Sequence, residues 1–387
     1  MSNVVATPRV VRVRAWEVVV PVVPGAVNSP ALEDAAESEP WDAAPIVLVE
    51  LTFDDGVIGL GELPRDVTLK TVDASLARLV GLTCPGPSMA AQPSAWRPGN
   101  MFGLHQLMPA PAWQSTQLAA AALETALLDA TGKRLGCRVV DLLGGAVRQR
   151  VSVDYWCGRQ TPADLEVIVG RALEHGFRGL KMKSRLGDPV IEQLRVIRQI
   201  AGEGFAVTID PMFQWLSPAH VLPMVKAIDH CNLAVKLEDP FPQDQPQMWQ
   251  RLRDAVATPL IWHARDAVSL RRGLQARCVD GFNASDGYCW GFLGQAHALE
   301  ALGLPCWQGS SIELGVAQAA RLHACAAAPA CVWPSDLVGA AIRQHTLTTW
   351  DWPYDAGYLP LPTAPGLGVE LDYDAVAHFA QVACDHE

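Results

Sequence analysis

The sequence predicts an α/β fold, a closed barrel of parallel strands entered through an α+β domain. Three observations carry this expectation. Beyond residue 150, short β-branched runs alternate with helical stretches, and the polar ends of the runs at Lys183, Asp210, Glu238, His263 and Ser285 recur at intervals of 27, 28, 25 and 22 residues, about one strand and helix each. No glycine-rich phosphate loop follows these strands, which favours a closed barrel over a doubly wound sheet. Before residue 150 the pattern is different, with strands joined by a hairpin and then a helix.

Residues 10–23 and 46–53 are dominated by β-branched side chains, and Asp54-Asp55-Gly56 between residues 47–51 and 57–60 reads as a hairpin turn, so an antiparallel sheet opens the chain. Residues 24–44 are rich in Pro, Ala, Asp and Glu without periodicity and read as a surface loop of the length lids have. A Pro/Met-rich loop is expected at 85–112, followed by a helical stretch at 115–143 that stops at Gly144-Gly145. The repeating strands then fall at 179–184, 206–210, 234–238, 259–263 and 281–285. The last segment is irregular at 346–358 and helical at 369–379, and is expected to return to the first domain. The expected boundaries are therefore 1–145, 146–345 and 346–387.

With 387 residues, 50% hydrophobic and 18% charged, the chain can bury a large core. A net charge of -11 without a basic run excludes the electrostatic footprint a nucleic acid requires. The 10 cysteines include no C-x-x-C pair and no regular spacing, so buried reduced thiols are expected rather than a zinc knuckle or a disulfide framework. No uncharged apolar stretch approaches the ~20 residues of a bilayer span, and the expected location is cytoplasmic, without a membrane partner.

Side chains alternate along a strand, so Lys181 and Lys183 share one face and Leu180 and Met182 the other. The same parity pairs Thr208 with Asp210, Lys236 with Glu238, and Ile261 with His263. The outer face of a parallel barrel packs on helices and must be apolar, which turns the polar set inward at the C-terminal mouth. Each residue alone reads equally well as a solvated strand end or half of an internal salt bridge. Together, buried charges of this kind each cost on the order of several kcal/mol if unpaired, so they call for a metal or an anionic substrate.

The runs Ala121-Ala-Leu-Glu-Thr-Ala-Leu-Leu-Asp-Ala-Thr-Gly-Lys133, Leu142-Leu-Gly-Gly145, Gly179-Leu-Lys-Met-Lys183, Ile209-Asp210, Leu237-Glu-Asp-Pro240 and Ser310-Ser-Ile-Glu-Leu-Gly315 follow one another in an order and spacing that span almost the whole chain. In these motifs the sequence resembles the mandelate racemase/muconate lactonizing enzyme family of the enolase superfamily. The resemblance implies a (β/α)7β TIM-like barrel with an α+β capping domain formed from the N-terminal region and the C-terminal segment. It also implies a divalent metal, usually magnesium, and removal of the proton α to a carboxylate. By position Lys183 resembles the proton-abstracting lysine and Lys181 the one that helps hold the substrate carboxylate. Two adjacent ammonium groups are expected to lower a lysine pKa toward that of a working base. Asp210 and Glu238 match the first two metal ligands.

The chain departs from the family at the third ligand, where His263 and Ala264 stand in place of an acid. A neutral imidazole suits manganese, iron or zinc better than magnesium. Asp266 is the alternative ligand, and an incomplete site is the third reading. At the positions of a second base the chain has Ser285 and Gly309, with Asp286 or Tyr288 as substitutes from a shifted loop. Met212 replaces a common Asn, and Lys236 places a cation one layer below Glu238. Glu313 matches a substrate-contacting carboxyl of some members, or is structural. Arg159, Arg185 and Arg265 follow strands and could clamp an anionic substrate, and Asp336 matches the eighth-strand segment. The expected activity is loss of a β-hydroxyl from an acid sugar or hydroxy acid, which needs only one base. Racemisation, epimerisation or cycloisomerisation is the alternative, and a non-catalytic binding or structural subunit the rival. The expected partner is a small-molecule carboxylate, and the expected assembly a homo-oligomer.

Overall fold

The computed structural model describes residues 8–32, 44–65, 67–83, 113–231 and 233–387. The loop expected at 85–112, and residues 33–43 of the expected lid, lie outside them.

Four antiparallel strands open and close the chain: β1 (Val10–Val18), β2 (Ile46–Phe53), β3 (Ile58–Glu62) and β13 (Ala380–His386), in the order β13-β1-β2-β3. Gly56, at φ 82°, makes the turn between β2 and β3. One face of the sheet buries Val13, Ala15, Val47, Val49 and Leu51 against Leu69, Val72 and Leu76 of the helix Leu69–Ala77 and against Ala122, Ala126 and Ala130 of the helix Trp113–Leu135. β3 touches the latter helix with bare backbone. A Cβ on Gly59 would lie 2.1 Å from the Ala126 carbonyl oxygen, and one on Gly61 2.2 Å from that of Ala122. The helical stretch expected to run through 143 is broken at Gly136, whose φ of 65° ends the helix, and resumes as the short helix Val139–Leu142.

A two-stranded ribbon pairs β4 (Arg150–Ser152) with β12 (Tyr358–Pro360). Seven parallel strands follow one another round the barrel: β5 (Tyr155–Cys157), β6 (Gly179–Lys183), β7 (Ala206–Asp210), β8 (Val235–Glu238), β9 (Leu260–Ala264), β10 (Gly281–Ala284) and β11 (Cys306–Gln308). Residues 330–335 complete the ring without forming a regular strand. Cys306 donates its amide to the Ala330 carbonyl and Trp333 donates to Cys306, while Ser335 donates to Ser152 and Asp154 to Ser335. The eight staves place β6 and β10, four positions apart, on opposite sides of the mouth.

The outward residues Leu180, Met182, Val207, Ile209, Leu237, Leu260 and Trp262 are all buried under helices, as strand parity requires. Asp266 caps the helix Ala267–Ala276, accepting from the Ser269 amide at 2.6 Å.

The sheet of β1–β3 and β13 and the helix Trp113–Leu135 dock at the mouth end of the barrel through two buried carboxylates. Glu62 on β3 accepts hydrogen bonds from the Leu314 and Ala317 amides at 2.7 and 2.9 Å, at the start of the helix Gly315–Ala327. Glu124 accepts from the Trp290 amide at 2.7 Å, at the start of the helix Trp290–Ala301. Both helices begin where a barrel strand ends, and a carboxylate suits the positive end of a helix dipole. No helix among the described residues is long and apolar enough to cross a membrane.

Candidate active site

Strand register sets the layers of the mouth. Lys183 pairs with Asp210, Thr208 with Lys236, Glu238 with Ile261, and His263 with Asn283. Lys181 lies one layer below Lys183, with its side chain 7% exposed against 21% for Lys183, so Lys183 is the lysine that meets the opening. The Lys183 ammonium donates to Asp210 Oδ2 at 2.5 Å. The Lys181 ammonium lies 2.8 Å from Glu238 Oε2, 3.4 Å from Asp210 Oδ2 and 3.6 Å from Asp336 Oδ2. Asp210 Oδ1 accepts the Met212 amide at 2.9 Å, and Glu238 Oε1 accepts from Asn283 Nδ2 at 2.8 Å. Lys236, a layer below Glu238, points its ammonium toward the Trp333 ring, 5.9 Å from its centroid.

The charges here differ from the expectation of two mutually weakened lysines. Burial alone would lower the Lys181 pKa, but the carboxylates of Glu238, Asp336 and Asp210 outweigh it and raise the pKa above the ordinary lysine value. Three carboxylates, not the neighbouring ammonium, dominate its field. Burial opposes ionisation of Asp210 as well, yet Lys183 and Lys181 hold its pKa below the usual carboxylate range. Glu238 is pushed upward, chiefly by burial and against the pull of Lys181. His263 is pushed well below its usual pKa by burial, then by Arg265 and Lys181, so its ring is neutral.

A divalent cation fits part of this cluster. Glu238 Oε2 is buried and faces the Lys181 ammonium at 2.8 Å, its charge partner. A buried carboxylate oxygen so placed, beside the ionised Asp210, is a site for a cation. His263 brings Nδ1 to 3.8 Å from Glu238 Oε1, while Nε2 bonds Ser285 Oγ at 2.6 Å. A Nε2–H donated to the serine would leave Nδ1 unprotonated toward Glu238, the arrangement an imidazole ligand needs. Ligand atoms of Asp210, Glu238 and His263 nonetheless do not all come within 4.8 Å of one another. Asp266, the alternative ligand, uses Oδ1 to cap its own helix.

The expected substrate-binding arginine Arg159 is already paired with Asp188, at 3.1 and 2.6 Å from its two oxygens, and donates to the Leu32 carbonyl. The Arg185 amide donates to the same Asp188 at 2.7 Å, so the Arg159 side chain and the Arg185 backbone tie together the loops after β5 and β6. Glu313 pairs with Arg321 at 2.9 Å and is buried, which favours the structural of its two readings. Tyr288 packs its ring on the Arg321 guanidinium at 4.8 Å, and Asp286 is raised to about 6 by burial and then by Asp266.

Three residues of the mouth were not singled out as functional. Asn283 is an inward residue of β10, which parity alone could have found. Asp239 is buried, with φ 44°, and accepts from the His263 amide at 3.2 Å and from Gln243 Nε2 at 3.1 Å, bracing the end of β9. Asp336 reaches Lys181 from beyond the irregular eighth stave, where no strand-like run marks the position.

Residues 165–376 match the family described as enolase C-terminal domain-like, and residues 35–144 match the mandelate racemase/muconate lactonizing enzyme N-terminal domain. The N-succinyl-L-Arg/Lys racemase of Bacillus cereus is 24% identical over 342 residues, covering 86% of this chain and 89% of its own length. Muconate cycloisomerase 1 of Rhodococcus opacus is 29% identical over 357 residues, covering 86% and 90%. The crystal structure of the B. cereus racemase superposes with a TM-score of 0.77 at 19% identity, over 98% of this chain and 100% of the other, and supports the fold. The barrel, its capping sheet and the matches across both parts agree, and the chain belongs to the mandelate racemase/muconate lactonizing enzyme family of the enolase superfamily.

Proposed function

We propose that the chain is a one-base isomerase of a small carboxylate, of the cycloisomerase kind. The observation that carries this reading is the end of β10. There, across the mouth from Lys183, stands Ser285, its hydroxyl bonded to His263 rather than replaced by an ionisable base. A racemase takes a proton from one face of the carbon and returns one to the other, so it needs an acid/base group on each side. A cycloisomerisation needs one group. A carboxylate oxygen of the substrate bonds to the β-carbon of a conjugated double bond, the π electrons pass to the α-carbon, and the Lys183 ammonium supplies the proton that completes the C–H bond. The relatives' names, a racemase and a cycloisomerase, favour isomerisation over the dehydration expected from the sequence. Dehydration shares the single-base step but expels a hydroxyl.

Lys181, held cationic by its carboxylates, offers a fixed positive charge for the substrate carboxylate. Asp210 and Glu238, with His263 Nδ1 beside them, would hold the divalent ion that the family implies. When bound, that ion supplies positive charge where negative charge develops on the substrate. Magnesium is the expected ion by resemblance, and manganese, iron or zinc if the imidazole is a ligand. Arg159 has no part in the reaction proposed, since Asp188 engages its guanidinium.

Incubation with a muconate-like unsaturated dicarboxylate in deuterium oxide tests this reading. The wild type should place one deuterium at the α-carbon, on one face only, and Lys183→Ala should lose this incorporation by a factor of ~10² or more while keeping its fold. Racemisation of an N-acyl amino acid at the rate of its deuterium exchange would reveal a second base and overturn the one-base assignment.

A further inference from the structure

Far along the sequence from the mouth, the capping sheet gathers a second group of ligand atoms. β13 is an edge strand paired to β1, with Ala15 opposite Cys384 and Val13 opposite His386. Residues two apart on a strand point to one side, and directly opposed residues share that side. Val13 and Ala15 face the helix Leu69–Ala77, so Cys384 and His386 face it too. Asp73 of that helix meets them. His386 Nε2 lies 2.8 Å from Asp73 Oδ1, and one ligand atom from each of Asp73, Cys384 and His386 lies within 4.8 Å of the other two. Among the described residues this is the one such group of three.

The chemistry of the trio is specific. A thiol, an imidazole and a carboxylate offer S, N and O donors, a mixture that suits zinc and not magnesium or calcium. Cys384 packs against the apolar cluster under the sheet. Cys384 also hydrogen-bonds Asp73, which puts the thiol in direct contact with the carboxylate. A thiolate and a carboxylate carry together the charge a dication neutralises. Asp73 and His386 remain 47% and 25% exposed, which leaves a side open for metal entry and a water as fourth ligand.

We propose that Asp73, Cys384 and His386 form a zinc site, which fastens the edge strand β13 to the helix Leu69–Ala77 and is independent of the metal implied at the barrel mouth. The two ligands on β13 are separated by one residue, and the third comes from the helix that the sheet covers, so binding holds the sheet and helix together as a closed unit.

The test uses full-length protein freed of metal with a chelator and titrated with cobalt(II) alone. A thiolate ligand gives a near-ultraviolet sulfur-to-cobalt charge-transfer band, and a tetrahedral site gives strong visible bands. Asp210, Glu238 and His263 contain no sulfur and give no charge-transfer band. The wild type should show the band, zinc should abolish it by displacement, and Cys384→Ser and His386→Ala should each lose it. Zinc should raise the melting temperature of the wild type by more than that of Cys384→Ser, which keeps only the mouth residues as ligands. Absence of the band from the wild type, or a band of equal strength in Cys384→Ser, would overturn the site.

Discussion

His263 puts a neutral imidazole where the family resemblance implies an acidic ligand, and the consequence is a matter of charge. A carboxylate in its place would bring a unit charge to ~4 Å of a bound dication, worth about 8 kcal/mol before desolvation in a partly screened site. His263→Asp should therefore tighten magnesium binding, by on the order of tenfold after that cost, and shift preference away from zinc; calorimetric titration with each metal reads this. Unchanged magnesium affinity would remove His263 from the ligand set. Much of the mouth was legible residue by residue, because alternation along β6, β7 and β8 fixes which side chains turn inward. What alternation cannot report is the field. Two lysines two apart looked mutually repulsive, and only the closed ring brings Asp336 across to Lys181 with Glu238 and Asp210. Arg159 illustrates the same limit, since its partner Asp188 comes from a different strand-end loop.

β3 packs on the helix Trp113–Leu135 through two residues without side chains, so that contact has no slack. Gly61→Ala would drive a methyl into the Ala122 carbonyl at 2.2 Å, an atom fixed in the helix backbone. Overpacking of this kind costs about 1–3 kcal/mol, and the variant should melt several degrees lower. A melting temperature equal to the wild type would mean the helix can retreat. The regular barrel strands were legible because each is an apolar run bounded by a polar end. β13 was not. Ala380–His386 holds a single large aliphatic residue, Val382, which is exposed, so pairing with β1 makes it a strand. The eighth stave was legible only through the family match at Asp336, because residues 330–335 are held by backbone hydrogen bonds to both neighbours and not by an apolar run.

Docking of the capping sheet on the barrel depends on buried carboxylates whose ionisation is unfavourable. Burial raises Glu62 from 4.5 to about 7, although the Ala317 and Leu314 amides partly offset it. A carboxyl with a raised pKa stabilises the folded state most below its unfolded value, and that contribution is lost as pH rises through about 7. Glu62→Gln is neutral throughout. The stability of wild type relative to Glu62→Gln should thus fall by about 3 kcal/mol between roughly pH 4.5 and pH 8, measured by denaturant unfolding of both proteins. A constant difference would show that Glu62 does not titrate in the docked state. The pairing of β1 with β13 joins Val13 to His386 across nearly the full chain. During synthesis at about 5–20 residues per second, β1 waits on the order of 20–70 s for its neighbour, while the barrel strands meet theirs as they emerge. Throughout that interval the outer edge of β1 is uncovered, and it stays an open template for strand pairing even after the barrel strands have met.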